Sequence, residues 1–396
     1  MSIKVAVIGG GACGLVASIF AKRAGAEVVV FERTSRFGKK ILASGNGRCN
    51  ITNKNISLDF YHGKYPHFAK YAIKFDTKEF FNSLGLELRA KKGTRLYPLS
   101  DQASIVLDML LHEAQRIGVK LQSDSKIEKL SKRGEKFILN NSLEFDRVIL
   151  ACGSSAMPHI SGTKIGYDLA TMMGHKIQKP FASLVQLVSS DETFFKASGV
   201  RSVANIDLFV DDKLKMSQNG DLLFTNYGLS GSAILDLSRS ASFALLNRKK
   251  VNLIIDLLPH ISHDELKHLM QKRGKIDLPI DLWLGGLINK KLVNPILKKA
   301  SLNRDFTLNK KSINSLVYAI KSLKIDIVDT KGYKKAEVMA GGVDTKDIDP
   351  KTMESKLHNG LYFCGEMLDI DGDCGGYNLH WAWGSGYIAG SSAGKA

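Results

Sequence analysis

The chain has 396 residues, 44% hydrophobic and 24% charged, an ordinary globular composition with room for two or three domains. Five scattered cysteines without CxxC spacing (Cys13, Cys49, Cys152, Cys364, Cys374) and histidines without an HExxH pattern argue against a disulfide framework and a metal site, and point to reduced thiols in the cytoplasm. A formal charge of +17, from 56 Lys and Arg against 39 Asp and Glu, draws polyanions and raises nucleic acid as a partner, although net charge selects no site.

The first element is an apolar strand, Val5–Ile8, entered almost at once. That leaves no room for a signal peptide, and no apolar run is long enough to span a bilayer, so neither secretion nor membrane contact is expected. The strand runs into Gly9-x-Gly11-x-x-Gly14, then a helix with apolar positions Leu15, Ile19 and Phe20, ended by Gly25. A second strand, Val28–Phe31, delivers Glu32 about 20 residues beyond the last glycine. Each residue type has a reason: Gly9 for the tight turn, Gly11 for close approach to a pyrophosphate, and Gly14 for helix–strand packing. Ala12 and Cys13 open a helix whose N-terminus suits phosphate, and Glu32, beside Arg33, can accept from an adenosine ribose. The register of strand, glycines, helix, strand and acid predicts a bound dinucleotide.

Phe37–Asn53 is rich in glycine and polar residues and reads as a loop on the ligand side of the sheet. Lys39, Lys40 and Arg48 offer cations there, while Ser44, Asn46, Asn50 and Thr52 offer hydrogen bonds. Residues 101–118 read as a helix capped by Ser100 or Asp101 and stopped by Gly118. Short strands follow at Val119–Gln122, Lys126–Lys132 and Lys136–Leu139, and an apolar strand, Phe145–Leu150, ends in Ala151-Cys-Gly153, small enough to pass a cofactor closely. No second GxGxxG follows a strand, so one dedicated dinucleotide is expected.

From Phe181 the pattern shifts to short β-like pieces, Leu184–Leu187, Ile206–Val210, Leu222–Thr225 and Val251–Asp256, suggesting an antiparallel or barrel-like insert. Between Ser262 and Leu323 the chain reads as helical, with caps at Ser262 and at Asn309 or Ser312, and it is basic, with Lys290, Lys291, Lys298 and Lys299 prominent. The domain boundaries expected are 1–180 and 339–396 for the nucleotide-binding part, 181–260 and 324–338 for the β-rich insert, and 261–323 for the helical insert. The C-terminal stretch has a strand ending in Gly365-Glu366, a tight loop to Asn378, and a small-residue, aromatic-bearing helix over Leu379–Ala389. Gly375 and Gly376 permit backbone contact with a flat ligand, and the helix N-terminus suits the negative N1–O2 edge of a reduced flavin.

Taken in order, Gly9–Gly14 with Glu32, Ser44-Gly-Asn-Gly-Arg-Cys-Asn-Ile-Thr-Asn53, Arg95-Leu-Tyr-Pro98, Gly228-Leu-Ser-Gly231, Ala340-Gly-Gly-Val343, and Gly365-Glu366 with Gly375-Gly-Tyr-Asn-Leu379 resemble the BaiN/RdsA-type bacterial flavoproteins over essentially the whole chain. The resemblance implies an α/β fold: an FAD-binding Rossmann-like, two-dinucleotide-binding-domain flavoprotein with an inserted β-rich domain and an inserted helical domain. It implies FAD as cofactor and NAD(P)H as transient reductant. The expected cofactor contacts are Gly9, Gly11, Ala12, Cys13, Gly14, Glu32 and Arg33. Lys40, Gly45, Asn46, Gly47, Arg48 and Asn50 follow in the polar loop, then Ile127, Ala151 and Gly153. Gly365, Glu366, Gly376, Tyr377 and Asn378 complete the set. Two departures stand out: Cys152 where the family usually has threonine, and His380 where it commonly has glutamine. One branch makes dihydrouridine in large-subunit ribosomal RNA, which implies a uridine reductase acting on unfolded or precursor RNA; a small-molecule FAD oxidoreductase and a non-catalytic FAD scaffold or redox sensor are the alternatives. Cys49, beside Arg48, is the candidate proton donor because a neighbouring cation can tune its thiol, and His380 is the next candidate.

Overall fold

Strand β1, Lys4–Ile8, is buried along Val5–Ile8, as a strand covered on both faces must be. The computed structural model describes residues 2–91 and 93–395. In it β1 is the centre of a five-stranded sheet, flanked in space by Leu361–Phe363 and Arg147–Leu150 on one side and by Glu27–Phe31 and Lys120–Gln122 on the other. Every pairing is parallel. The helix Ala12–Arg23 makes the first crossover and ends in Lys22 and Arg23, the sign its C-terminal dipole favours. The chain forms two compact units, one running to Pro180 and resuming at Val338, the other Phe181–Glu337.

Within the first unit the C-terminal helix, Tyr377–Gly394, packs on Ala12–Arg23 through backbone. A Cβ on Gly386, Gly390 or Gly394 would stand 2.5, 2.2 and 2.4 Å from the Cys13, Ala17 and Ala21 carbonyl oxygens, so these positions require glycine. The indole N–H groups of Trp381 and Trp383 donate to the Gly365 and Ile51 carbonyls at 3.1 and 3.0 Å, tying the strand end and the polar loop to one helix.

Local differences from the sequence reading have physical causes. The helix expected at 101–118 starts at Ala103, and Gln102 caps it without a side-chain bond, because the Asp101 carboxylate is spent on Arg89 and Lys91. The stretch Lys126–Lys132 becomes a strand only at Leu130–Arg133. Phe37–Asn53 is not wholly loop: Lys39–Ala43 is a short helix and Ile41, Cys49 and Ile51 lie in the core.

The second unit contains a closed six-stranded barrel in the order Leu187–Ser189, Gly228–Ser230, Lys213–Thr225, Arg201–Val210, Val251–Asp256, Leu323–Thr330. All its pairings are antiparallel. The strand expected at Leu184–Leu187 is displaced, since Leu184 has left-handed backbone (φ +49°) that ends one strand at Ser183 and delays the next to Leu187. A helix at Ser232–Leu246 lies inside the stretch read as β-rich; Ala233, Ile234, Leu237, Ala241 and Ala244 are its buried face. The helices His263–Arg273, Ile280–Gly285, Val293–Lys299 and Lys310–Lys321 share one hydrophobic cluster with the barrel. Ser262 forms the expected capping box with Glu265, and Asn309 caps the last helix with Ser312 as its reciprocal partner.

Candidate functional site

The glycine loop is built for two opposite purposes. A Cβ on Gly14 would stand 1.9 Å from the Gly9 carbonyl oxygen, and one on Gly9 would stand 2.4 Å from that of Ala151. A Cβ on Gly11 meets nothing within 4 Å. Gly9 and Gly14 are therefore glycines for packing, while Gly11 borders open space in front of a helix whose N-terminus has no side-chain cap and no acid in its first turn. That is a cradle for an anionic linker. The Glu32 carboxylate accepts from the Gly10 N–H at 3.0 Å and from the Thr34 N–H and hydroxyl at 2.8 and 2.9 Å, which fixes its orientation beside the loop. Arg33 donates to the Ser161 carbonyl at 3.2 Å. Cys13 points inward, its Sγ 3.5 Å from the Cys364 carbonyl, and Ile127 is buried in the core.

The polar loop and the C-terminal glycine turn meet. A Cβ on Gly376 would stand 2.6 Å from the Thr52 carbonyl oxygen and 3.0 Å from Asn50 Oδ1, and Asn53 Nδ2 donates to the Gly375 carbonyl at 2.9 Å. Arg95 donates to the Cys374 carbonyl at 3.2 Å, and Asn378 is engaged with its own turn, donating to the Gly372 carbonyl at 2.6 Å and accepting from the Gly372 N–H at 2.8 Å. The carbonyls of Gly372, Cys374 and Gly375 are thus taken by side chains, while the Gly375 and Gly376 N–H groups have no acceptor among the described residues. Asn50 Oδ1 is buried and likewise has no donor. Tyr377 stacks on Phe60 at 4.5 Å and serves packing with its ring. In the polar loop Gly45, Asn46 and Gly47 all have left-handed backbone, which makes it a cradle of defined shape.

Lys40 and Glu366 pair at 2.8 Å. Glu366 also accepts from the Ser154 hydroxyl at 2.6 Å and from the Met339 N–H at 3.0 Å. The sequence reading missed Ser154, Asn53 and Arg95 as site-shaping residues. Their signal was adjacency: Ser154 follows Ala151–Gly153, and the other two lie inside the Ser44–Asn53 and Arg95–Pro98 motifs. Gly153 is left-handed with open space beside it.

The two candidate proton donors are not placed as expected. Cys49 is fully buried, and that burial pushes its thiol up to about 12. Arg48 does not tune it: its Nε donates to the Gly45 carbonyl at 3.1 Å and its guanidinium lies over the Tyr97 ring, 5.8 Å from the centroid. His380 is buried with both ring nitrogens in use. Nε2 lies 3.0 Å from the Ile73 carbonyl, which can only accept, so Nδ1 accepts from the Thr52 and Thr77 hydroxyls at 2.8 and 2.9 Å. Burial lowers its pKa, favouring that neutral tautomer. Both residues are held in place rather than presented.

Among the described residues no helix is long and apolar enough to cross a membrane, and no group of His, Cys, Asp and Glu is arranged to hold a metal. The HI0933-like protein Rossmann domain matches residues 3–392. The chain belongs to the HI0933-like family. It is a family of FAD-dependent oxidoreductases. A 3-dehydro-bile acid delta(4,6)-reductase of Clostridium scindens is 37% identical over 98% of both chains. A ribosomal RNA dihydrouridine synthase of Haemophilus influenzae is 34% identical over 96% of both. Among solved structures, the 3-ketosteroid-delta4-(5alpha)-dehydrogenase of Rhodococcus jostii RHA1 covers 100% of this HI0933-like chain and 97% of its own, at 17% identity and a TM-score of 0.48. The residues of this chain fit FAD: open space at Gly11, an uncapped helix N-terminus, a fixed Glu32, free N–H groups at Gly375 and Gly376, and an orphaned acceptor on Asn50.

Proposed function

We propose that this HI0933-like chain reduces a carbon–carbon double bond conjugated to a carbonyl, with uridine of large-subunit ribosomal RNA as substrate and NAD(P)H as reductant. The two relatives' names support the reaction class, because a 3-oxo steroid with Δ4 and Δ6 unsaturation and the C5=C6 bond of uracil are both conjugated enones. In each, hydride adds at the end of the double bond remote from the carbonyl (C6 of uracil, C5 of a Δ4 or C7 of a Δ6 steroid bond) and a proton at the other carbon of that bond. The observation that favours RNA is the +17 charge, since Lys and Arg contacts to phosphate dominate such binding. The 37% identity to the bile-acid reductase favours a steroid enone as the second reading.

FAD, when bound, supplies the hydride. The chain's own residues do the rest. The Gly9–Gly14 loop and the N-terminus of Ala12–Arg23 would hold the pyrophosphate, with Glu32 on the ribose. Lys40 and Glu366, locked by Ser154 and Met339, would orient the middle of the cofactor. The Gly375 and Gly376 N–H groups with the following helix N-terminus would stabilise negative charge at one edge of the ring, and Asn50 Oδ1 would accept an N–H. A stacked uracil is out of reach, so the base must leave its stack, at a cost of about a few kcal/mol that is least in unfolded RNA.

The test is mass mapping of dihydrouridine in ribosomal RNA from a strain lacking the gene. Loss of one modification, restored by the wild-type gene, is expected. Unchanged RNA together with NAD(P)H-driven reduction of a 3-oxo-4-ene steroid supports the second reading, and a flavin bleached by neither NADH nor NADPH overturns both.

A further inference from the structure

Some basic side chains of the barrel-containing unit simply pair with acids. Lys249 and Lys250 face Asp211 and Asp212 at 3.4 and 3.2 Å, and Arg304 pairs with Asp281. A second group has a different logic. Lys291 Nζ donates to the Ser198 carbonyl at 3.3 Å, and Lys299 Nζ pairs with Asp191 at 2.5 Å while donating to the Lys324 carbonyl at 3.1 Å. These two side chains bring three segments together: the turn Glu192–Ala197, the stretch Lys290–Lys299, and the start of strand Leu323–Thr330. Phe194, buried and stacked on Phe224 at 5.4 Å, fastens the turn to the barrel.

Lys196, Lys290, Lys298 and Lys324 lie on these joined segments, all exposed, and none has a carboxylate or carbonyl partner for its ammonium among the described residues. Of the nearby acids, Asp191 is neutralised by Lys299, leaving Glu192 and Asp326 exposed. In sequence these lysines are up to 128 residues apart (196 to 324), so only the fold assembles them.

We propose that these joined segments form a docking track for the phosphate backbone of single-stranded RNA, with Lys291 and Lys299 as its framework and Lys196, Lys290, Lys298 and Lys324 as its phosphate contacts. The proposal rests on the RNA reading of the function and adds to it where the substrate is held. Charge complementarity selects the partner: four exposed ammonium groups without acidic partners, on segments that Lys291 and Lys299 hold together, suit a repeating anion, and single-stranded RNA supplies one phosphate per nucleotide.

The experiment uses the full-length flavoprotein and a fluorescent single-stranded RNA oligonucleotide, with affinity measured across a range of salt. The variant carries Lys196→Gln, Lys290→Gln, Lys298→Gln and Lys324→Gln together; Lys213→Gln with Lys215→Gln, on exposed positions of another strand, is the control. For the fourfold variant the slope of log K against log salt becomes shallower by about 0.7 for each phosphate no longer engaged, roughly 2 to 3 in all. FAD content and the thermal midpoint stay at wild-type values, and the control keeps its slope. A wild-type slope in the fourfold variant overturns the docking track while leaving the RNA reading standing. An equal loss per lysine in the control also overturns it, because the effect is then bulk charge. A wild-type protein with no salt-dependent RNA binding overturns the RNA reading and the track together.

Discussion

Gly11 and Gly14 sit one helical turn apart and resist substitution for opposite reasons. A side chain at Gly14 collides with the Gly9 backbone, whereas one at Gly11 enters open space. Gly11→Val is therefore expected to fold and melt like FAD-stripped wild type but to purify colourless, and Gly14→Val to lose soluble protein; absorbance at the flavin band and a circular dichroism melt read both. Full flavin content in Gly11→Val removes the pyrophosphate assignment. At Cys49 the buried thiol, held up to about 12, predicts that Cys49→Ala keeps substrate reduction within a few-fold and costs about 1 kcal/mol of stability. A drop of about 10²–10⁴-fold in stopped-flow reoxidation by substrate, with flavin reduction intact, would instead identify the thiol as the acid. His175 predicts a pH effect. Its Nε2 lies 2.8 Å from the Ser355 hydroxyl, its Nδ1 has no partner among the described residues, and burial lowers its pKa from 6.5 to about 4. The unfolded chain takes up a proton below 6.5 that the folded chain refuses until about 4. The contribution is complete above 6.5 and is lost as pH falls through that window, at up to about 1.4 kcal/mol per pH unit. Urea midpoints at stepped pH should show this, and His175→Gln should flatten it.

The C-terminal helix carries four glycines at contact positions, Gly384, Gly386, Gly390 and Gly394, each disfavoured in a helix by about 1 kcal/mol relative to alanine. What offsets that cost is close backbone contact, of Gly384 with Ala72 and of the other three with Ala12–Arg23, a seam that also aims both helix N-termini from one pair. Gly390→Val is expected to cost about 3 kcal/mol or more, because its Cβ falls 2.2 Å from the Ala17 carbonyl oxygen and backbone cannot give way as a side chain would. Ser262→Ala, which removes a capping box on an exposed helix, should cost only about 1 kcal/mol. Denaturant melts of the two variants compare a seam with a cap. A smaller loss at Gly390 than at Ser262 would mean the helices can separate freely.

On the scale of the whole chain, each of the two units has its own large hydrophobic cluster, and every residue proposed to hold FAD lies in the unit formed by the two ends of the chain. A ligand stabilises the unit that binds it, by about 2.7 kcal/mol at a hundredfold excess over Kd. Calorimetry should accordingly resolve two transitions, and added FAD should raise one of them while leaving the other in place. A single transition that moves as a whole would show that the two cores unfold together.

The nucleotide-binding unit was legible in the sequence because its determinants are local: an alternation of strand, glycines, helix, strand and acid within 32 residues leaves few structures to choose from. The cap at Ser262, a cap at Asn309 or Ser312, and the antiparallel or barrel-like character of the insert were legible in the sequence as well. Long-range contacts decided the rest. The helix Ser232–Leu246 was hidden because its apolar face is defined only by the barrel it covers. Asp101 failed as a cap because Arg89 and Lys91 claim its carboxylate, a partnership set by strand pairing. The polar look of Ser44–Asn53 suggested a presented thiol, yet Cys49 lies in the core, in a segment that Trp383 holds at Ile51 and the glycine turn at 375–376 meets at Thr52. Residue type and spacing determined which chemistry this chain could host. Burial and hydrogen-bond partners, which depend on residues hundreds of positions apart, decided which side chains are committed to structure and which atoms are left over for a ligand.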